Sequence, residues 1–230
     1  MIRKYVLFTF LLILLPLFTL MAQHWPGLVG KDGEPVASVL VSLGPEYCFA
    51  DTKEPALMQN ILRNKDLSVS FRVRYTNNFG YRASFSYSTF TGSDGASVSR
   101  SYSFASQAIQ LAAMGEYTIP FGKTYGESLF PPGIYLFLGV GLLRCKANLD
   151  YYSKAGYQYN TNATISPVIP LGMGYQYTFA NNFQLGVEYM LRWSFSDYLD
   201  GFRPPSSASK SIDVLQGAAI TLGYTFSNAL

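Results

Sequence analysis

Along residues 183–199, FQLGVEYMLRWSFSDYL, apolar and polar side chains alternate with a period of two. Phe183, Leu185, Val187, Tyr189, Leu191, Trp193 and Phe195 share one face, while Gln184, Gly186, Glu188, Met190, Arg192 and Ser194 share the other. That period belongs to a β-strand with one apolar and one polar side. The run is long for a soluble strand of about five or six residues. It suits a tilted membrane strand of about nine to eleven residues with aqueous ends.

The same alternation predicts seven further strands, over about 39–49, 67–76, 79–91, 104–121, 134–147, 165–179 and 213–226. In the second, Leu67, Val69, Phe71, Val73 and Tyr75 oppose Ser68, Ser70, Arg72, Arg74 and Thr76. In the third, Tyr81, Ala83, Phe85 and Tyr87 oppose Gly80, Arg82, Ser84 and Ser86. Directly paired residues share a face, so the turn between these two strands must hold an odd number of residues. A three-residue turn over Asn77, Asn78 and Phe79 is expected. The register that follows sets Arg74 opposite Arg82, a juxtaposition that needs a Glu between them. A similar turn is expected after the sixth strand, at Ala180-Asn181-Asn182. The fifth strand, IYLFLGVGLLRC, is apolar on both faces, so its facing stays open, and Pro167 and Pro170 predict a bulge in the first half of the sixth.

Polar stretches without alternation follow the first, third, fifth and seventh strands, at 50–66, 92–101, 146–164 and 196–212; the other connections are mostly shorter. An even strand count with long and short connections in turn is the rhythm of a bacterial barrel whose N-terminus lies on the periplasmic side. The fold class is therefore all-β, an eight-stranded antiparallel transmembrane β-barrel.

Composition selects this over a soluble barrel with the same period. Charged residues are 13% of the 230, against about 25% in soluble domains, too few to solvate an outer wall. Aromatics reach 16%, as in barrels girdled at both membrane interfaces. The net charge of +3 comes with no Lys/Arg cluster beyond Arg3–Lys4, so no nucleic-acid partner is indicated. At the start, Arg3 and Lys4 precede the apolar run 5–20 and a small residue at Ala22. Residues 1–22 thus read as a secretory signal peptide, 23–38 as an irregular lead-in and 39–230 as the barrel, with outer-membrane lipid as its surroundings.

The inward-facing ionisable set is Glu46, Arg72, Arg74, Arg82, Glu116, Glu188 and Arg192. The interior of an eight-stranded barrel is just wide enough for side chains to fill, and buried charges must be paired. A Glu–Arg network plugging the lumen is expected. Glu188 and Arg192 lie roughly 13 Å apart along a strand and must find other partners. Cys48 and Cys145 fall on the first and fifth strands, across the barrel, and are expected to be free thiols. The single histidine, His24, precedes the barrel on the periplasmic side, so a Ser/His/Asp constellation is not available at the outer rim. No residues are assigned as catalytic, metal-binding or cofactor-binding. Asp197, Asp200 and Arg203 read as an Asp–Arg pair of a surface loop, and loops 150–159 and 202–209 as candidate contact surfaces.

Four blocks, NNFGYRASFSYSTFTGSD, PPGIYLFLGVGLL, IPLGMGYQYTF and WSFSDYLDGF, resemble the small outer-membrane β-barrel proteins of Bacteroidota, a largely uncharacterised family with an OmpA-like or PorT-like barrel. The resemblance implies the outer membrane as location and carries no catalytic motif or cofactor. Together with the residues it points to a non-catalytic barrel, structural or an accessory subunit of a larger envelope complex for secretion or assembly. The alternative is a narrow channel for ions or small solutes. A lipid-modifying enzyme or protease of the outer membrane is the less favoured third.

Overall fold

The computed structural model describes residues 35–49, 64–76, 78–93, 101–121, 131–153, 156–179, 182–196, 199–201 and 213–226. Every described regular element is a strand: β1 (Val36–Gly44), β2 (Glu46–Phe49), β3 (Lys65–Arg74), β4 (Phe79–Ser93), β5 (Ser101–Pro120), β6 (Gly133–Ser153), β7 (Gly156–Phe179), β8 (Phe183–Ser194) and β9 (Val214–Thr225). From β3 onward each pairs antiparallel with the next, β1 pairs with β3, and β1 also pairs with β9, which closes the sheet. β1 and β2 are one stave interrupted at Pro45. The register against β9 runs unchanged across the break, from Ser38↔Thr225 to Phe49↔Val214. Pro45 has no N–H to give, but its carbonyl accepts from Ala218 (3.2 Å). The barrel therefore has eight staves.

Its sides are inverted relative to a soluble protein. Leu111, Leu138, Val187, Ile220 and Leu222 are exposed, whereas Arg72, Arg192, Glu46 and Glu116 are buried. Aromatic rings on the outer wall interlock edge-on near the short turns, Phe79 with Tyr81 at 4.9 Å and Phe183 with Tyr224 at 5.2 Å. Tyr81, Phe183 and Tyr224 face outward on the same parity that the alternation assigned to them.

Several details differ from expectation. Tyr75 donates to the Phe79 carbonyl (3.1 Å), so the β3–β4 turn holds three residues as parity demands but spans 76–78. The Thr76 hydroxyl accepts from the Phe79 amide (2.8 Å), anchoring the turn one position early. Arg82 consequently stands opposite Arg72, and Arg74 opposite Gly80. The expected bulge in β7 is absent. One register joins it to β6 on both sides of the prolines, and only the positions around Pro170 drop out of the ladder. The turn after β7 is as expected, with Phe179 paired to Phe183.

The largest correction concerns the polar stretch 146–164, which is not a loop. β6 and β7 continue through it as a hairpin paired from Lys146↔Ala163 to Ser153↔Gly156. Ala147 and Leu149 stay buried there while Lys146, Asn148 and Asp150 alternate with them, so the period of two persists with its polarity turned over, apolar inward and polar outward. β8, conversely, ends at Ser194 and not at 199. On β6, the facing left open by the sequence is resolved: Tyr135, Phe137, Leu143 and Cys145 point inward, and Ile134, Leu136, Leu138 and Leu142 outward.

Candidate functional site

All seven expected inward charges are buried, and they meet in two networks. The one nearer the short turns centres on Glu116 of β5. Its Oε1 lies 3.0 Å from Arg72 Nε and 3.6 Å from Arg74 Nη2; its Oε2 lies 2.8 Å from Arg82 Nη2. The register explains the convergence: Arg72 and Arg82 are cross-strand neighbours, and Glu116 stands opposite Gly80, whose lack of a side chain leaves room. The Glu expected between two arginines is present, though the pair is Arg72–Arg82. Glu188, from the far wall, takes Arg82 Nη1 (2.8 Å) and the Tyr135 hydroxyl (2.6 Å) on the same oxygen. Gln176 Oε1 accepts from Arg72 (2.8 Å) and Arg74 (2.6 Å). The rings of Tyr135 and Phe137 lie under Arg82 at 5.3 and 5.2 Å, so the guanidinium has an aromatic face where it lacks an oxygen.

The second network lies toward the long connections. Arg192 of β8 binds Glu46 of β2 and, through Nη2, Asp66 Oδ2 (2.8 Å). Ser88 donates to Asp66 Oδ1 (2.7 Å), fixing that carboxylate. As expected, Glu188 and Arg192 bind different partners. One network holds three arginines and two glutamates, the other one arginine and two acids, so the four arginines and four carboxylates balance only when both are taken together. Between them is a cavity of about 10 Å³ edged by Ser42, Asp66, Ser68, Glu188 and Met190, room for about one water.

Above the second network the lumen turns apolar. Cys48, Phe90, Phe104, Leu143, Cys145, Leu199 and Leu215 form one buried cluster. Both cysteines are free, as expected, although the narrow bore brings them into the same cluster from opposite walls. Leu199 comes from the segment after β8, which folds inward. Its amide donates to Asp213 Oδ2 (2.9 Å), and its carbonyl accepts from Ser106 Oγ (2.6 Å). Gly201 then adopts φ = 81° with its Cα side against Ala147, a conformation and a closeness that favour glycine. Asp200 is therefore buried at the mouth of the lumen and not exposed on a surface loop, a correction forced by this inward fold; Asp197 and Arg203, and with them the expected Asp–Arg pair, lie outside the described residues. So do His24, the segments 1–22 and 23–34, and the loop 202–209; the backbone of 150–159 belongs to the β6–β7 hairpin except at 154–155.

Sequence reasoning missed Asp66, Tyr135, Leu199 and Asp213. Asp66 is in phase with Ser68, Ser70 and Arg72, so extending β3 by that parity would have found it. Leu199 and Asp213 carry no local signal, since their burial depends on a segment entering the barrel.

Residues 57–229 match the model of a family described as a domain of unknown function (DUF6089). The chain belongs to that family. No similar sequence is found among curated proteins. Solved structures with a related shape include Ail, the attachment invasion locus protein of Yersinia pestis, in complex with the heparin analogue sucrose octasulfate: 15% identity, TM-score 0.47, 84% of this chain and 99% of that one. Neisserial surface protein A aligns at 12% identity and TM-score 0.40, covering 83% and 97%. A major outer membrane protein of Thermus thermophilus aligns at 15% and 0.45, covering 84% and 99%. These likenesses are remote, and the barrel stands on its own strand pairing.

Proposed function

We propose that this family member is a non-catalytic barrel of a Gram-negative outer membrane, serving as a structural or accessory subunit of a larger envelope complex. One observation carries the reading: among the described residues the lumen is occupied by paired ions and an apolar cluster, with one water-sized cavity between, while the outer wall is apolar. The interior is occupied by its own side chains, so other components meet the outside of the barrel. Such a wall is stable in lipid, and the resemblance of its motifs to barrels of Bacteroidota supports that kind of envelope. A non-catalytic role is supported by the buried polar groups, whose principal partners are one another.

The test is mild-detergent purification of the tagged chain from its native envelope. A stoichiometric partner is expected, and a solitary barrel would sink the accessory reading. The second reading is a narrow ion path, with the water-sized cavity between the two networks as its one polar opening among the described residues. Planar-bilayer conductance separates the two: closed traces are expected, and porin-scale currents would overturn the filled lumen. Loss of a lipid or peptide modification on deletion would instead point to an enzyme.

A further inference from the structure

Charge on the outer wall is sparse and confined to one end. Among the described residues, the Asp, Glu, Lys and Arg side chains on that face are Lys65, Arg144, Lys146 and Asp150; the rest are buried. All four stand toward the long connections, and the cations outnumber the acid. The ladder places them on successive outward rows. Lys65, Thr89, Gln107, Lys146 and Ala163 follow one another across β3 to β7. The next row toward the short turns is Leu67, Tyr87, Ile109, Arg144 and Ile165. Below that, Val69, Phe85, Leu111 and Leu142 are wholly apolar. The apolar wall therefore ends at β6, with Arg144 in its last row and Lys146 in the first polar one.

Arg144 and Lys146 are both exposed and succeed each other on one face of β6, roughly 7 Å apart. Neither has an ion pair or hydrogen bond among the described residues. Asp150, the acid of this face, stands four residues beyond Lys146, roughly 13 Å along the strand. The exposed Gln107 is directly opposite Lys146 on β5, about 5 Å away at Cα. The flanking strands β5 and β7 run unbroken past both rows.

A guanidinium level with Ile109 and Ile165 is costly in hydrocarbon. Its stem can lie on the wall while its head reaches the interface beside Lys146. Two unpaired cations at that depth call for an anion at the boundary between hydrocarbon and water. A lipid phosphate sits there, and its chains cover the exposed Ile109, Leu111, Leu142 and Ile165 beneath. A soluble polyanion has no tail for that apolar bed.

We propose that Arg144, Lys146 and Gln107 form a site for the phosphate headgroup of a membrane lipid in the leaflet at the loop end. The two cations and the amide hold the phosphate, and Ile109, Leu111, Leu142 and Ile165 hold the chains. This inference rests on the membrane location in the reading above and adds the chemistry of one bound lipid.

The test uses the full-length chain in nanodiscs of phosphatidylcholine doped with phosphatidic acid, whose phosphate has no choline to neutralise it. Lipids retained on release are counted by native mass spectrometry. The wild type should retain phosphatidic acid in excess of its share of the disc. Arg144→Gln with Lys146→Gln should cut that enrichment by about tenfold or more, equivalent to about 1.4 kcal/mol. Arg144→Lys with Lys146→Arg keeps both charges and should keep the enrichment. Both double variants should fold like the wild type by heat-modifiable mobility, since neither side chain has a protein partner to lose. Retention at the disc ratio, or equal enrichment in the Gln variant, would overturn the headgroup site and leave the barrel in its membrane. A chain that does not enter the disc would overturn both.

Discussion

Glu116 is the carboxylate on which the lower half of the lumen depends. Three guanidinium groups converge on it, and only Glu188 could take over part of that charge. Removing one partner of a buried ion pair costs about 3–5 kcal/mol, because the other charge stays buried and uncompensated. Glu116→Gln is expected to lose stability on that scale, read as a lower urea midpoint for the barrel in micelles. Ser86→Ala is the contrast: its hydroxyl is buried with no hydrogen-bond partner among the described residues, so its removal relieves an unsatisfied polar group and should raise stability, by about 1 kcal/mol. Gly44 makes a different demand. A Cβ there would lie 1.8 Å from the Ala218 carbonyl oxygen, which is backbone and cannot step aside. Gly44→Ala should open the β1–β9 seam and sharply reduce the fraction that folds, measured by heat-modifiable gel mobility. The membership of these interior positions was visible in the sequence, since parity alone sends Glu46, Arg72, Arg74, Arg82, Glu116, Glu188 and Arg192 inward. Their partners were not, because Arg82 and Glu188 are separated by 106 positions.

At the level of elements, what matters is register. The seam pairs Val41 with Leu222, both outward. Directly opposed Cα atoms in an antiparallel ladder lie about 4.5–5.5 Å apart, within disulfide range. Val41→Cys with Leu222→Cys should therefore cross-link under mild oxidation, seen as a shifted mobility of the denatured chain. Val41→Cys with Thr221→Cys should not, since Thr221 points into the lumen, where its hydroxyl meets Ser42 (2.9 Å). The native thiols should not interfere: Cys48 and Cys145 are buried, and maleimide should reach them only after unfolding. Two elements were misread from the sequence for physical reasons. The β3–β4 turn was set one residue late because the Thr76 hydroxyl, and not an Asn, closes it. The continuation of β6 past Cys145 reads as loop because it sets polar Lys146, Asn148 and Asp150 on the outer face and Ala147 and Leu149 on the inner one, the reverse of the lipid-facing pattern.

Across the whole molecule, the apolar wall predicts where the protein resides. Trp193 faces outward near the loop end. In a Trp25→Phe background its fluorescence should be strongly quenched in vesicles of lipids brominated along the acyl chain, and hardly by an aqueous quencher. The opposite pattern would overturn the membrane reading. The filled lumen has a mechanical counterpart: two charge networks, each unbalanced alone, tie β2, β3, β4, β5 and β8 together across the bore. Stability is therefore held in cross-barrel pairs as well as in the ladder.

Alternation and composition were enough for the fold class, the eight staves, the face on which each side chain lies in seven of them, and the presence of a Glu–Arg interior. Facing is a local property of an extended backbone, and it is written wherever one side meets lipid and the other a polar bore. The facing of the all-apolar β6, the partner of each charge and the entry of Leu199 into the lumen came only with the folded barrel. Each of these depends on which residues closure of the sheet brings level, and staves far apart in the chain share a bore one side chain wide.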